Sequence, residues 1–118
     1  MNLLVTGGYG FIGSNFIKLI IGKNRVNKLV NIDSLTYAAD KKSLEEVEGD
    51  PKYVFRHSDI KNYSEVDNAF KQIIEKWNKI DILINNAGIT DDKLAIRMTE
   101  DSWNEVIDIN LKGTFNCI

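Results

Sequence analysis

Four glycines near the amino terminus, Gly7, Gly8, Gly10 and Gly13, and one acid, Asp33, carry the first chemistry legible in this chain. The glycines can be read as GxxGxxG or as GxGxxG. They follow the apolar run Leu3-Leu4-Val5 and precede Phe11, Ile12 and Phe16 at helical spacing. Strand, tight turn and helix in that order put unpaired N–H groups and a positive dipole end behind a bare backbone, which suits a pyrophosphate. The candidate contacts there are Gly7, Gly10, Phe11, Ile12 and Gly13. Asp33 stands twenty positions after Gly13, at the end of the next apolar run, with Ser34 beside it. Its carboxylate can accept from both hydroxyls of an adenosine ribose and repels a 2′-phosphate, and no Arg occupies 34–36. The pairing predicts a dinucleotide, NAD in preference to NADP.

Asp59 and Ile60 follow the third apolar run. The carboxylate can accept from an adenine amino group, and the isoleucine can pack on the ring. Other groups point nowhere. One His and one Cys, His57 and Cys117, are too few for a zinc site, and His57 reads as a strand-surface residue. Tyr37 and Lys41 have the Tyr-x-x-x-Lys spacing of a proton-transfer pair. They follow the second strand, on the adenosine side, so they do not read as catalytic. Glu45, Glu46, Glu48, Asp91 and Asp92 read as solvated charges.

The elements that must position these residues alternate. Strands are predicted at 3–6, 28–32, 53–57 and 80–84. Between them come a helix from Phe11 to about Lys23 and a short charged helix from Asp40 or Ser43 to Val47. A third, one-faced helix is predicted over 64–78, with Ser64 as its N-cap. A last helix opens at Thr99 and carries Trp103, Val106, Ile107, Leu111 and Phe115. The order βαβαβαβα predicts an α/β fold, a Rossmann-like half with a four-stranded parallel sheet in the order 3-2-1-4 and helices on both faces. The glycine turn and Asn86-Ala87-Gly88 then lie side by side at the carboxyl ends of strands 1 and 4, where open α/β sheets bind ligands.

Bulk composition narrows the class. The 118 residues read as one domain, 43% hydrophobic and 27% charged, with net charge −2. No basic patch argues for nucleic acid. No stretch approaches the roughly 20 apolar residues of a membrane span. A strand starting almost at Met1 leaves no room for a leader peptide, and a lone cysteine fits the cytosol.

Two resemblances follow from the motifs. Residues 1–62 resemble the nucleotide-sugar 4,6-dehydratases among the extended short-chain dehydrogenases. The carrying stretches are Leu4-Val5-Thr6-Gly7-Gly8-Tyr9-Gly10-Phe11-Ile12-Gly13, Asn31-Ile32-Asp33-Ser34-Leu35-Thr36-Tyr37-Ala38, and Asp59-Ile60. Residues 80–118 are similar to the ketoacyl-carrier-protein reductase branch, through Asp81-Ile82-Leu83-Ile84-Asn85-Asn86-Ala87-Gly88 and Asn104-Glu105-Val106-Ile107-Asp108-Ile109-Asn110. That resemblance implies that Asn86, Ala87 and Gly88 line the cofactor, and that Asn110 matches a catalytic Asn which supports a proton-relay water.

The mixed resemblance points to a chimera, engineered or truncated, joined within 60–80. The serine, the tyrosine–lysine helix and the substrate pocket of the family have no counterpart here. The expectation is therefore an NAD-binding Rossmann module without a complete catalytic site. A partial oxidoreductase active only when complemented, and a fold scaffold with no ligand, are the alternatives. A homodimer through the exposed edge of strand 4 or the last helix is also expected.

Overall fold

The computed structural model describes residues 1–118. Its strands are β1 (Asn2–Thr6), β2 (Lys28–Asp33), β3 (Tyr53–His57) and β4 (Ile82–Ile84). They form one parallel sheet in the expected order, β3-β2-β1-β4. β1 is buried along its whole length, as a parallel strand covered on both faces must be.

Alternation along the strands sorts the core into two layers. Leu3, Val5 and Leu29 face Ile17 and Ile21 of the first helix, α1 (Phe11–Ile21), together with Leu44 and Val47. Leu4, Val30 and Ile32 face the other way, onto Val66, Ala69 and Ile73 of α2 (Tyr63–Trp77). Ile17 and Leu29 are wholly buried, each contributing about 1.5–3 kcal/mol of apolar burial. The last helical stretch adds α3 (Glu100–Ile107) and α4 (Thr114–Cys117), with Cys117 in the α2 layer. No helix is long and apolar enough to cross a membrane.

Several boundaries differ from the sequence reading. The charged helix over 40–47 is a single 3-10 turn, Lys41–Leu44, opened by Asp40, whose side chain accepts from Lys42 N–H. α2 is capped by Asn62 rather than Ser64: the Asn62 side chain accepts from the amides of Ser64 and Glu65. Glu65 reaches back, its carboxylate accepting from the Asn62 side chain at 3.0 Å and from Asp59 N–H at 2.9 Å. A cap must lie where the chain turns into the helix, and that tertiary tie to Asp59 puts the turn two residues earlier. β4 is shorter than 80–84, because the Asp81 side chain accepts the Asn2 N–H at 2.7 Å. The last helix opens at the Thr99 cap as expected, but widens to a π turn over Asp108–Gly113 before α4.

Cys117 is buried, and burial pushes its thiol up to about 11. Folding therefore favours the protonated thiol. Its stabilisation is whole below the ordinary value of 9.0 and is lost as pH climbs toward 11. Burial raises the Tyr9 and Tyr53 hydroxyls too, which extends the loss upward. The urea midpoint is expected to fall between about pH 9 and 11, and to fall less in Cys117→Ala. Equal falls in both chains would remove the thiol as the cause.

Candidate functional site

The turn between β1 and α1 is built by its neighbours. Gly7 has φ +67°, and a Cβ there would stand 2.8 Å from the Ala87 Cα. Gly8 N–H donates to the Asn31 side-chain oxygen at 2.9 Å, and Tyr9 N–H to the Asp33 carboxylate at 2.9 Å. Gly10 N–H closes on the Gly7 carbonyl at 3.2 Å. These three amides hold the turn. The next three, of Phe11, Ile12 and Gly13 at the head of α1, have no partner within the chain, and no side chain caps them. The side chains of Phe11 and Ile12 are exposed.

From the other side, β4 is tied to β1 beyond its ladder. The Thr6 hydroxyl accepts from Asn86 N–H and Ala87 N–H, each at 3.1 Å. The Asn86 amide donates to the carbonyls of Thr6 and Gly7, each at 3.0 Å.

A cleft of about 400 Å3 opens across these ends. Eleven of the twelve residues expected to hold a cofactor line it: Gly7, Gly10, Phe11, Ile12, Asp33, Ser34, Asp59, Ile60, Asn86, Ala87 and Gly88. Gly13 does not. It is buried behind the turn, where a Cβ would strike the Gly7 carbonyl oxygen and come within 2.8 Å of Gly8 Cα and the Asn86 amide. Its place is close packing of helix on turn. Asn110 lies outside the cleft, beside a neighbouring hollow with Tyr37 and Thr90. Its amide pairs twice with the backbone of Ile89: it accepts from the N–H and donates to the carbonyl, both at 2.9 Å.

Asp33 is nearly buried, and its two oxygens accept from Tyr9 N–H and Leu35 N–H. Asp59 accepts from Lys61 N–H at 2.9 Å. His57 is exposed, its ring 3.2 Å from the Ser34 carbonyl, as a surface residue would be. Tyr37 is exposed at 89% and lines only the neighbouring hollow.

Residues the sequence reading passed over also line the cleft, among them Ser58, Lys61 and Glu105. Lys61 bonds Glu105 at 2.9 Å, which raises the lysine above its ordinary range. No spacing rule links residues 44 positions apart. Asn31 was legible in principle: a polar residue in an apolar strand, two before Asp33, must share its face.

Fold and cleft together define a Rossmann-like α/β protein with a cleft at the switch point of its sheet. The chain belongs to the short chain dehydrogenase family, whose sequence model matches residues 1–118. It is 37% identical to the 3-oxoacyl-(acyl-carrier-protein) reductase of Staphylococcus epidermidis over 121 aligned positions, 98% of this chain and 47% of that one. Among solved structures it resembles dTDP-glucose 4,6-dehydratase from Bacillus anthracis in complex with NAD, with TM-score 0.75, 28% identity, 98% of this chain and 32% of that one. It also resembles ElxO with NADP bound, with TM-score 0.81, 26% identity, 98% of this chain and 46% of that one. The chain spans about half the length of the curated relatives it matches. One family match covers residues 1–118, with 60–80 included, so the comparisons mark no join there.

Gly13→Ala forces a methyl against backbone that cannot yield. It is expected to cost about 1–3 kcal/mol, read as a lower urea midpoint. Gly22→Ala, where nothing lies within 4 Å, is the control and should leave the midpoint unchanged or raise it. Equal effects at the two sites would refute the packing role.

Proposed function

We propose that this chain binds a nicotinamide dinucleotide through its adenosine and pyrophosphate, with NAD preferred over NADP. The observation that carries the reading is the row of unpartnered amides at Phe11, Ile12 and Gly13, beside a cleft lined by Asp33 at one wall and Asn86-Ala87-Gly88 at another. Those amides and the α1 dipole suit the pyrophosphate. Asp33 accepts from the adenosine ribose, and Asp59 with Ile60 takes the adenine. Family relatives solved with NAD or NADP support the ligand class.

Charge supports the preference. Lys61 is the one cation lining the cleft, against the three carboxylates of Asp33, Asp59 and Glu105. Lys61 is already engaged by Glu105 and lies 3.8 Å from Asp59. A 2′-phosphate would meet Asp33 with no free cation to balance it.

The bound cofactor would supply hydride chemistry; this chain's residues bind and orient it. Tyr37 and Lys41 are the chain's one Tyr-x-x-x-Lys spacing, and neither lines the cleft. Carbonyl reduction by the chain alone is therefore expected to be absent. The reading places the chain in the cytosol, where its single buried thiol stays reduced. It also gives the chain a partner. Trp103, Leu111 and Phe115 are exposed on the last helical stretch, and β4 is a free sheet edge. A second copy is the occupant we assign to these surfaces.

Titration calorimetry is expected to show NAD and ADP-ribose binding, with NAD tighter than NADP by about tenfold or more. Gly10→Val is the cleanest loss of function. A Cβ at Gly10 stands 3.3 Å from the Gly7 carbonyl, a tight contact that the turn must absorb. The urea midpoint of the variant is therefore measured beside its binding, and loss of binding with the midpoint kept is the supporting result. No heat with any dinucleotide would sink the reading. Sedimentation should show a concentration-dependent dimer that Leu111→Lys weakens. A monomer at the highest concentrations would overturn the partner assignment.

A further inference from the structure

Two buried polar side-chain atoms lack any hydrogen-bond partner, Arg56 Nε and Ser58 Oγ. Only Ser58 lines the cleft. It is 3% exposed, and a buried hydroxyl without a partner is unfavourable. Native chains seldom leave one so unless something else completes it.

The location is specific. Ser58 follows β3 directly, and its N–H donates to the Asp33 carbonyl at 3.2 Å. That bond fixes Ser58 between the residue proposed for the ribose and the Asp59-Ile60 pair proposed for the base. Nothing in the chain holds the hydroxyl itself, so rotation between staggered positions can turn it toward the cleft. An adenosine lying from Asp33 to Asp59 would present its ribose-side ring edge to Ser58. The acceptor on that edge is the adenine nitrogen N3, and a serine hydroxyl can donate to it.

We propose that Ser58 is a direct adenosine contact, its hydroxyl donating to the ribose-side ring nitrogen of the bound base. The proposal rests on the dinucleotide reading above. It also explains why a polar residue is buried there, where the buried Ile32 and Ile60 also line the cleft. Ser58 Oγ has no partner within the chain, and the ligand would satisfy it.

The test is calorimetry of the unaltered chain and Ser58→Ala with AMP, ADP-ribose and NAD, alongside urea unfolding of both without ligand. Ser58→Ala is expected to weaken all three ligands by a similar factor, about five- to tenfold. Its urea midpoint should stay the same or rise, because an unpartnered group has been removed. Ser58→Cys keeps the size with a weak donor, and should bind like the alanine variant. Unchanged affinity would overturn the proposal. So would a loss of affinity that tracks a fall in the midpoint, since that is the behaviour of a purely structural serine. If the unaltered chain binds none of the three ligands, the dinucleotide reading falls first and this proposal with it. If it binds all three and the variants match it, only the Ser58 contact falls.

Discussion

The backbone reversal between β1 and α1 has one side chain of its own, the buried Tyr9 packed on Phe55, so the sheet must hold its backbone groups from outside. Asn31 takes the Gly8 amide, Asp33 takes the Tyr9 amide, and Asn86 reaches the carbonyls of Thr6 and Gly7. Each such bond adds about 0.5–1.5 kcal/mol net, and each partner left unmade would cost about 1–3 kcal/mol. These residues come from the ends of the two strands that flank β1. The 3-2-1-4 order is therefore a requirement of the turn as well as a solution for the core. The Asn31 amide is itself held by the Tyr53 hydroxyl at 3.0 Å, so the support reaches back to the edge strand.

What is left over after the turn is secured is the surface proposed to bind the dinucleotide. The amides at 8, 9 and 10 are used internally, and those at 11, 12 and 13 are not. Asp33 then serves twice, since the carboxylate proposed to face a ribose also fixes the turn through Tyr9 and the following loop through Leu35. The loop after β4 is held the same way, by Asn110 gripping both backbone groups of Ile89. In both places a side-chain amide or carboxylate substitutes for a sheet ladder that has run out.

Much of this was legible in the sequence because it depends on local periodicity. Alternating strands and helices, the glycine spacing and Asp33 at a strand end required only neighbours in the chain. What escaped depended on contacts between distant residues. Ser64 and Asn62 are both good caps by type, and the choice was made by Glu65 reaching Asp59. The π turn over Asp108–Gly113 left a trace that was misread. Trp103, Ile107, Leu111 and Phe115 recur every four residues, which drifts from a 3.6-residue turn and is absorbed by a wider one. Ser58 carries no signal of its own in the sequence, and only the Asp33 carbonyl that holds its amide makes it part of the cleft.

The same geometry sets how an anion could be held. Lys61 lines the cleft within reach of Glu105 and Asp59, and no other lysine or arginine lines it. A pyrophosphate there would have to be neutralised by oriented amides and the dipole of an eleven-residue helix. Such a site recognises shape as much as charge, because amides at the head of a helix point in fixed directions. That makes the buried Gly13 decisive although it does not line the cleft. By letting α1 approach until its first turn lies against Gly7 and Gly8, it sets where those amides point. On the proposed reading, selectivity at the anion would rest on backbone position, and selectivity at the sugar on the single carboxylate of Asp33.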